Sequence, residues 1–281
     1  MDMRIAYVNH LGERIDLGPA SEYHYKRHGL YDAELAYDVE AGYVGALRRE
    51  PREYELPAVI EAGSDEAGLA ARERLHAVLD ADMLSGSPGR VEVGGYAMRA
   101  VPVRVTRDHW WVSDMLLEAT VTLLAEDPVW TRELRWAWVP DRSPDAQAGS
   151  LDYPAGYPHD YTPNPAVREV DVDAPGPCPW RITVYGPAVD PYVVIGGNRY
   201  QVFASVPDGG LLVADSRDLS IVVRDVDGNE ADAFDARIRG AEGSGEDMWA
   251  PLQPGTSDVS WSNAFGWDLA AYVERSAPPC A

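Results

Sequence analysis

The chain is poor in cysteine, in lysine and in long apolar runs, and each shortage removes a class of protein. Two cysteines, Cys178 and Cys280, in 281 residues are too few and too far apart for a stapled secreted fold or a metal-ligand pair. They read as thiols of a reducing cytosol, with a single bridge as the alternative. Lys26 is the only lysine among 24 basic residues, which face 46 carboxylates for a net charge of -22. Divided at Pro140, the two parts carry -9 and -13. A nucleic-acid clamp needs clustered cations. The densest basic group, Arg48, Arg49 and Arg52, is interleaved with Glu50 and Glu53, so no specific nucleic-acid binding is expected. No apolar run approaches membrane-spanning length. The opening MDMRIAYVNHLGERIDLG has neither the basic start nor the apolar core of a secretory signal. A soluble protein made in the cytoplasm, without membrane insertion, is expected.

Signatures of chemistry are missing as well. The six histidines, at 10, 24, 28, 76, 109 and 159, form no HxH or HExxH pair, and there is no CxxC, no phosphate-binding glycine loop and no GxSxG elbow. Asp225, Asp227 and Glu230 in DVDGNE resemble a fragment of a calcium loop without its full ligand spacing, and read better as a hairpin turn. With 46 carboxylates, two at glycosidase separation carry no information. These gaps point to a protein that is not an enzyme and needs no cofactor or metal.

What the sequence does have is turn chemistry and aromatic rings. Residues 151–165, LDYPAGYPHDYTPNP, hold four prolines, which forbid a helix interior or a central strand. Tyr153, Tyr157 and Tyr161 argue against a loose tether, because disordered linkers are poor in aromatics. The segment reads as a seam, giving a domain at 1–140, a linker at 141–165 and a second domain at 166–281. A single large domain with a long ordered loop is the alternative.

In the first part, Ile5 and Tyr7 begin a short strand, and 53–60 (EYELPAVI) form another. Ser64 caps a helix carrying Asp65 and Glu66 in its first turn and Ala71, Leu75, Val78 and Leu79 on one face, with a stop near Ser85 and Gly86. Gly94-Gly95 between 90–93 and 96–105 marks a tight hairpin. Leu117, Ala119, Val121 and Leu123 alternate with polar residues in a half-buried strand that Asp127-Pro128 closes. After the seam, nine short apolar runs, 233–238 among them, are bounded by Gly, Pro or Asp, the spacing of an antiparallel sandwich. The fold class expected is mainly β: a barrel-like domain with one helix, then an antiparallel β-sandwich.

Aromatic residues outside a periodic core are candidate interface anchors, since rings bury much area at low entropic cost. Tyr31, Tyr37 and Tyr43 lie in the irregular stretch 17–52, and Trp110, Trp111, Trp136 and Trp138 lie between 110 and 138. These seven are the candidate subunit-interface residues, with self-coverage of their own domain as the alternative. Trp249, Trp261 and Trp267 are candidates for a carbohydrate platform or, equally, for sandwich core.

Taken in order, these parts resemble the distal tail proteins of long-tailed bacteriophages. The resemblance is carried by LPAVIEAGSDEAGLAARERLHAVLDADMLSG followed by RVEVGGYAMRAVPVRV, by DYPAGYPHDYTPNP, by ITVYGPAVDPYVVIGGNRYQV and by LQPGTSDVSW before the last strand. It implies an N-terminal split β-barrel that assembles as a homo-hexameric ring, and a C-terminal galectin-like, CBM-like sandwich directed outward. The ring would join the tail tube protein to the tail-tip hub or tail-associated lysin, in a virion tail assembled in the host bacterial cytoplasm. The strong negative charge suits a lumen along which DNA slides. The alternative is an adhesin that meets a host-surface glycan through the sandwich, and a third reading is a two-domain glycosidase whose two carboxylates the sequence does not single out.

Overall fold

Strand periodicity and turn residues dictate most of the architecture. The computed structural model describes residues 4–19, 21–40, 42–113, 115–140 and 168–279, with the side chains of 108–113 excepted. The chain divides into two compact units, Met1–Arg132 with Glu274–Ala281, and Glu133–Val273. The expected linker, 141–165, lies outside the described residues.

The N-terminal unit contains β1 (Ile5–Val8), β2 (Arg14–Leu17), β3 (Tyr23–Tyr25), β4 (Ala36–Glu40), β5 (Tyr43–Arg48), β6 (Arg52–Glu61), α1 (Asp65–Ser85), β7 (Gly89–Val93), β8 (Tyr96–Ser113), β9 (Leu116–Ala125) and the start of β10 (Trp130–Trp138). Seven strands close on themselves in the order β8-β7-β1-β2-β3-β6-β9, with β9 pairing back to β8. Every contact in this circuit is antiparallel except β2 with β3, which meet in parallel through Leu17 and Tyr23. Closure leaves the barrel without an open edge. Its interior is filled by Ile5, Ile15, Leu56, Ile60, Val91, Met98 and Leu123, each at most 3% exposed. All four residues of β1 are buried, and β1 lies between β2 and β7 within the barrel wall.

Helix α1 begins and ends as its sequence dictates. The Ser64 hydroxyl accepts from the Ala67 N–H, Asp65 and Glu66 occupy the first turn, and Gly86 takes the left-handed conformation, φ 66°, at the C-terminus. Ala71, Leu75, Val78 and Leu79 are buried. The Tyr23 hydroxyl ties the helix to the barrel by donating to the Ala71 carbonyl at 2.9 Å. At the far end of the helix Asp82, fully buried, accepts hydrogen bonds from the Tyr7 hydroxyl and, at 2.9 Å, from the His10 N–H.

The C-terminal unit holds the remainder of β10, then β11 (Arg168–Val172), β12 (Trp180–Tyr185), β13 (Ala188–Val189), β14 (Tyr192–Ile195), β15 (Asn198–Gln201), β16 (Ser205–Val206), β17 (Leu211–Asp215), β18 (Ser220–Arg224), β19 (Glu230–Asp232), β20 (Gly255–Trp261) and β21 (Trp267–Arg275). Strands β19-β18-β17-β12-β21 form one sheet, which β10 extends, and β11-β20-β14-β15 form the other. Ile182, Val184, Leu212 and Ala214 of the first sheet meet Val193 and Tyr200 of the second around a residual cavity of about 10 Å³. The inter-sheet core is therefore close to filled, as sandwich cores are. The run 233–238, expected as a strand, is instead a single 3₁₀ turn at Phe234–Ala236. Asp232 Oδ1 accepts from the Phe234 N–H at 2.9 Å and the Arg237 guanidinium donates to the Phe234 carbonyl at 2.6 Å, so local side-chain bonding competes with the ladder and wins.

Candidate assembly surface

Strands β4 and β5 form a two-stranded sheet of their own, hydrogen-bonded to no other strand among the described residues. Tyr37 stands opposite Leu47 and Val39 opposite Val44, and one extra residue on β5 is accommodated between these two pairs. The bulge has a chemical result. Val44 and Leu47 are three residues apart and would point to opposite faces of a regular strand, but here they share the face of Tyr37 and Val39. The four side chains are 65%, 59%, 63% and 61% exposed for Tyr37, Val39, Val44 and Leu47.

The other face is polar. Arg48 donates to Asp38 at 2.6 and 3.2 Å, and Glu40 lies opposite Tyr43, which is 79% exposed. The hairpin is thus amphipathic with its apolar side in solvent. An isolated two-stranded hairpin is at best marginally stable in water, and a contiguous exposed apolar face is characteristic of a contact surface.

The root of the hairpin is fixed. Arg49 donates in a fork to Asp127, at 2.5 and 3.1 Å, and reaches Glu274 at 3.3 Å, while Arg52 donates to the Asp32 carbonyl at 3.1 Å. Beside this root lies an open groove of about 810 Å³, lined by Leu35, Leu47, Tyr54, Pro128 and Val129 together with the charged pairs just named. An anchored base, a projecting apolar face and an adjacent groove make a surface suited to another protein.

The expected interface residues are distributed as follows. Tyr37 and Tyr43 lie on the hairpin, whereas Tyr31 is half-buried and stacks on His28 with ring centroids 5.6 Å apart. Trp110 and Trp111 belong to β8, and their side chains lie outside the described residues. Trp136 is half-buried, and Trp138 is 7% exposed and stacks on Trp267 at 4.2 Å. Sequence reasoning missed Val39, Val44 and Leu47, because the bulge that gathers them onto one face breaks the period of two.

Of the residues weighed for a carbohydrate platform, Trp267 is fully buried and offers no ring face to solvent. Trp261 leans edge-on to it at 5.9 Å and has Arg168 over its ring at 4.7 Å. Trp249 stacks between Trp180 and Phe234 at 6.2 and 6.1 Å. These three rings build the sandwich interior and its border. Asp225 caps the turn between β18 and β19, accepting from the Asp227 and Asn229 N–H groups at 2.9 Å each. Hydrogen bonds from Asn229 hold its pKa below the ordinary aspartate value. No cluster of three or more His, Cys, Asp or Glu side chains suited to a metal occurs among the described residues, and no helix is long and apolar enough to cross a membrane.

A closed barrel with one helix and a two-sheet sandwich have counterparts among solved structures. The chain is similar in structure to SPP1 Dit, described as a paradigm of the hub adsorption apparatus in phages that infect Gram-positive bacteria, at TM-score 0.55 and 12% identity over 97% of this chain and 99% of that one. It is also similar to a chain of the phage P2 baseplate in its activated conformation with Ca, at TM-score 0.60 and 8% identity over 99% and 100% of the two chains. The same baseplate with Sr gives 0.58 and 8% over 99% of both. No protein-family model and no curated protein matches the sequence. At these identities the likeness establishes the fold, and it bears out the mainly β, barrel-plus-sandwich expectation.

Proposed function

We propose that this chain is a structural protein of a phage tail tip, a distal tail protein whose N-terminal unit assembles through the β4–β5 hairpin into a homo-hexameric ring. The ring joins the tail tube protein on one side to the tip hub or tail-associated lysin on the other, and the C-terminal unit is presented outward. The observation that carries this reading is the amphipathic hairpin, whose exposed apolar face needs a partner, on a chain with the fold of baseplate proteins along nearly its whole length. The hairpin face and the groove at its root share Leu47 but otherwise present different residues, Tyr37, Val39 and Val44 on the one and Leu35, Tyr54, Pro128 and Val129 on the other, so a contact between them in successive copies is heterologous and closes into a ring when the rotation permits. The role is geometric rather than catalytic, and the net charge of -22 per copy disfavours adhesion of DNA to the lumen.

The test is mass in solution combined with negative-stain imaging. The expected result is a ring of six copies that the double variant Val39→Ser, Val44→Ser reduces to monomers with unchanged far-ultraviolet circular dichroism. A chain that stays monomeric at every concentration, or a ring indifferent to the double variant, overturns the proposal.

A further inference from the structure

We infer that His28 is an acid-released latch: with its ring neutral it holds the segment joining β3 to β4 against the barrel, and with its ring protonated it lets that segment go. The segment, residues 26–35, contains neither strand nor helix and is pinned at few points. The Lys26 N–H donates to the Pro57 carbonyl of β6 at 3.1 Å, the Asp32 N–H closes a turn on the Gly29 carbonyl at 3.0 Å, and the Arg52 guanidinium donates to the Asp32 carbonyl at 3.1 Å. Between them Leu30 is fully buried, so one apolar side chain anchors the middle of the segment.

The latch is the bond made to Leu30. A backbone N–H can only donate, so Nδ1 of His28, which receives the Leu30 N–H at 3.4 Å, presents a lone pair and the ring proton sits on Nε2. This is the one acceptor that the Leu30 N–H has among the described residues. A second proton on the ring must go to Nδ1. A donor then faces a donor, and a buried residue loses the partner of its amide.

The surroundings favour the neutral ring. His28 is half-buried between two tyrosines, Tyr25 edge-on at 5.4 Å and Tyr31 stacked at 5.6 Å between ring centroids. Burial lowers the pKa of His28, and the charge of Asp32, which acts the other way, does not offset it. The other charges nearby are engaged or in solvent: Lys26 pairs with Glu118 of β9 at 2.6 Å, Arg52 of β6 is committed to the Asp32 carbonyl, and Arg27 is exposed. The released segment therefore takes a proton more readily than the latched one. Latching is complete above the ordinary histidine value of 6.5 and weakens as pH falls below it. Ala33, Glu34 and Leu35 of the same segment line the groove at the hairpin root, so acid dismantles one wall of that groove. The device belongs to the single chain and does not depend on ring formation.

Hydrogen exchange of the full chain at pH 7.5 and pH 5.5, read by mass spectrometry and corrected for the intrinsic pH dependence of exchange, tests the inference. Peptides within 26–35 should exchange severalfold faster at pH 5.5, while those of β6 and β9 stay unchanged. In His28→Ala the acceptor is gone, and the segment should exchange fast at both pH values. In His28→Asn the side-chain oxygen can still accept from the N–H two residues on and does not titrate, so the acid effect should vanish there too. Both variants keep His24, which meets Glu61 at 3.7 Å, and so separate the two histidines. Equal exchange of 26–35 at the two pH values in the wild type, an acid effect of the same size in β6 and β9, or one that persists in both variants overturns the inference.

Discussion

The hydroxyl of Tyr7 donates to Oδ2 of Asp82, 75 residues further along the chain, and both side chains are buried at the junction of β1 with the end of α1. His10 reaches the other oxygen of the same carboxylate through its backbone N–H and through Nδ1. One buried aspartate thus fixes the β1–β2 turn against the helix. Replacing Tyr7 by Phe removes a donor and leaves a buried carboxylate oxygen short of a partner, a change that costs about 1.5–3 kcal/mol. Urea unfolding at neutral pH is expected to show that loss with an unchanged slope.

The same tyrosine makes the protein sensitive to alkali. Burial, reinforced by the hydrogen bond to Asp82, raises the Tyr7 pKa far above 10, and burial raises those of Tyr23 and Tyr200 to about 12. Above pH 10 the unfolded chain loses protons that the folded chain retains, so stability is complete below pH 10 and declines as pH rises beyond it. Melting temperature followed from pH 8 to pH 11 should fall, and less steeply for Tyr7→Phe than for the wild type.

In the C-terminal unit the sign is reversed. Burial works against ionisation of Asp215, but hydrogen bonds from the side chain and backbone of Arg217 and from Arg181 outweigh it and hold its pKa below the usual 3.8. This contribution is present above the unfolded pKa and is lost as pH falls through the folded one. Arg217 also lies over the Tyr272 ring at 3.6 Å, so Arg217→Met removes a guanidinium from both partners. The variant should be destabilised at neutral pH, and the gap to wild type should narrow in thermal scans as pH is lowered beneath the ordinary aspartate range.

Gly89 tests how closely the barrel and the helix end approach. A Cβ at this position would come within 2.5 Å of the Val8 carbonyl oxygen and 2.6 Å of the Tyr7 hydroxyl, in addition to meeting Asp82. Backbone and a buried hydrogen-bonded network offer no room to yield, so Gly89→Ala should cost about 1–3 kcal/mol, as overpacking does. The control is Gly95→Ala, where open space surrounds the new methyl and only the φ of +82° is unfavourable; it should cost about 1 kcal/mol.

Hydrogen exchange distinguishes the hairpin from the rest of its unit. Amides of β4 and β5 should exchange rapidly in dissociated chains and become protected in the assembled ring, while those of β6 and β9 remain protected in both. Equal protection of the hairpin in both states would contradict its role as the assembly surface.

Where local chemistry dominates, the sequence is transparent. Ser64 and Gly86 mark α1 to the residue, the Gly94-Gly95 pair sits at φ 57° and 82° in the β7–β8 turn, and Leu117, Val121 and Leu123 are buried on β9 as their alternation requires. Where distant strands decide, it is opaque. Thr122 falls on the polar side of that alternation yet is 1% exposed; Arg104, its cross-strand partner on β8, donates to its hydroxyl at 3.2 Å. The parallel contact between Leu17 and Tyr23 leaves no local pattern at all. The apolar hairpin face stays hidden for a related reason: a single inserted residue realigns Val44 and Leu47, and no periodicity announces a bulge. The tryptophans mislead in the opposite direction, since a ring as large as Trp267 looks the same in sequence whether it meets solvent or, as here, Trp138.

A wall of strands that returns to its own beginning offers no unsatisfied amide or carbonyl row to a newcomer. Growth of such a unit by main-chain pairing is therefore confined to the small sheet outside the circuit, where both flanks of β4–β5 are open. The closure that stabilises the barrel thus also withholds its strands from edge-to-edge association.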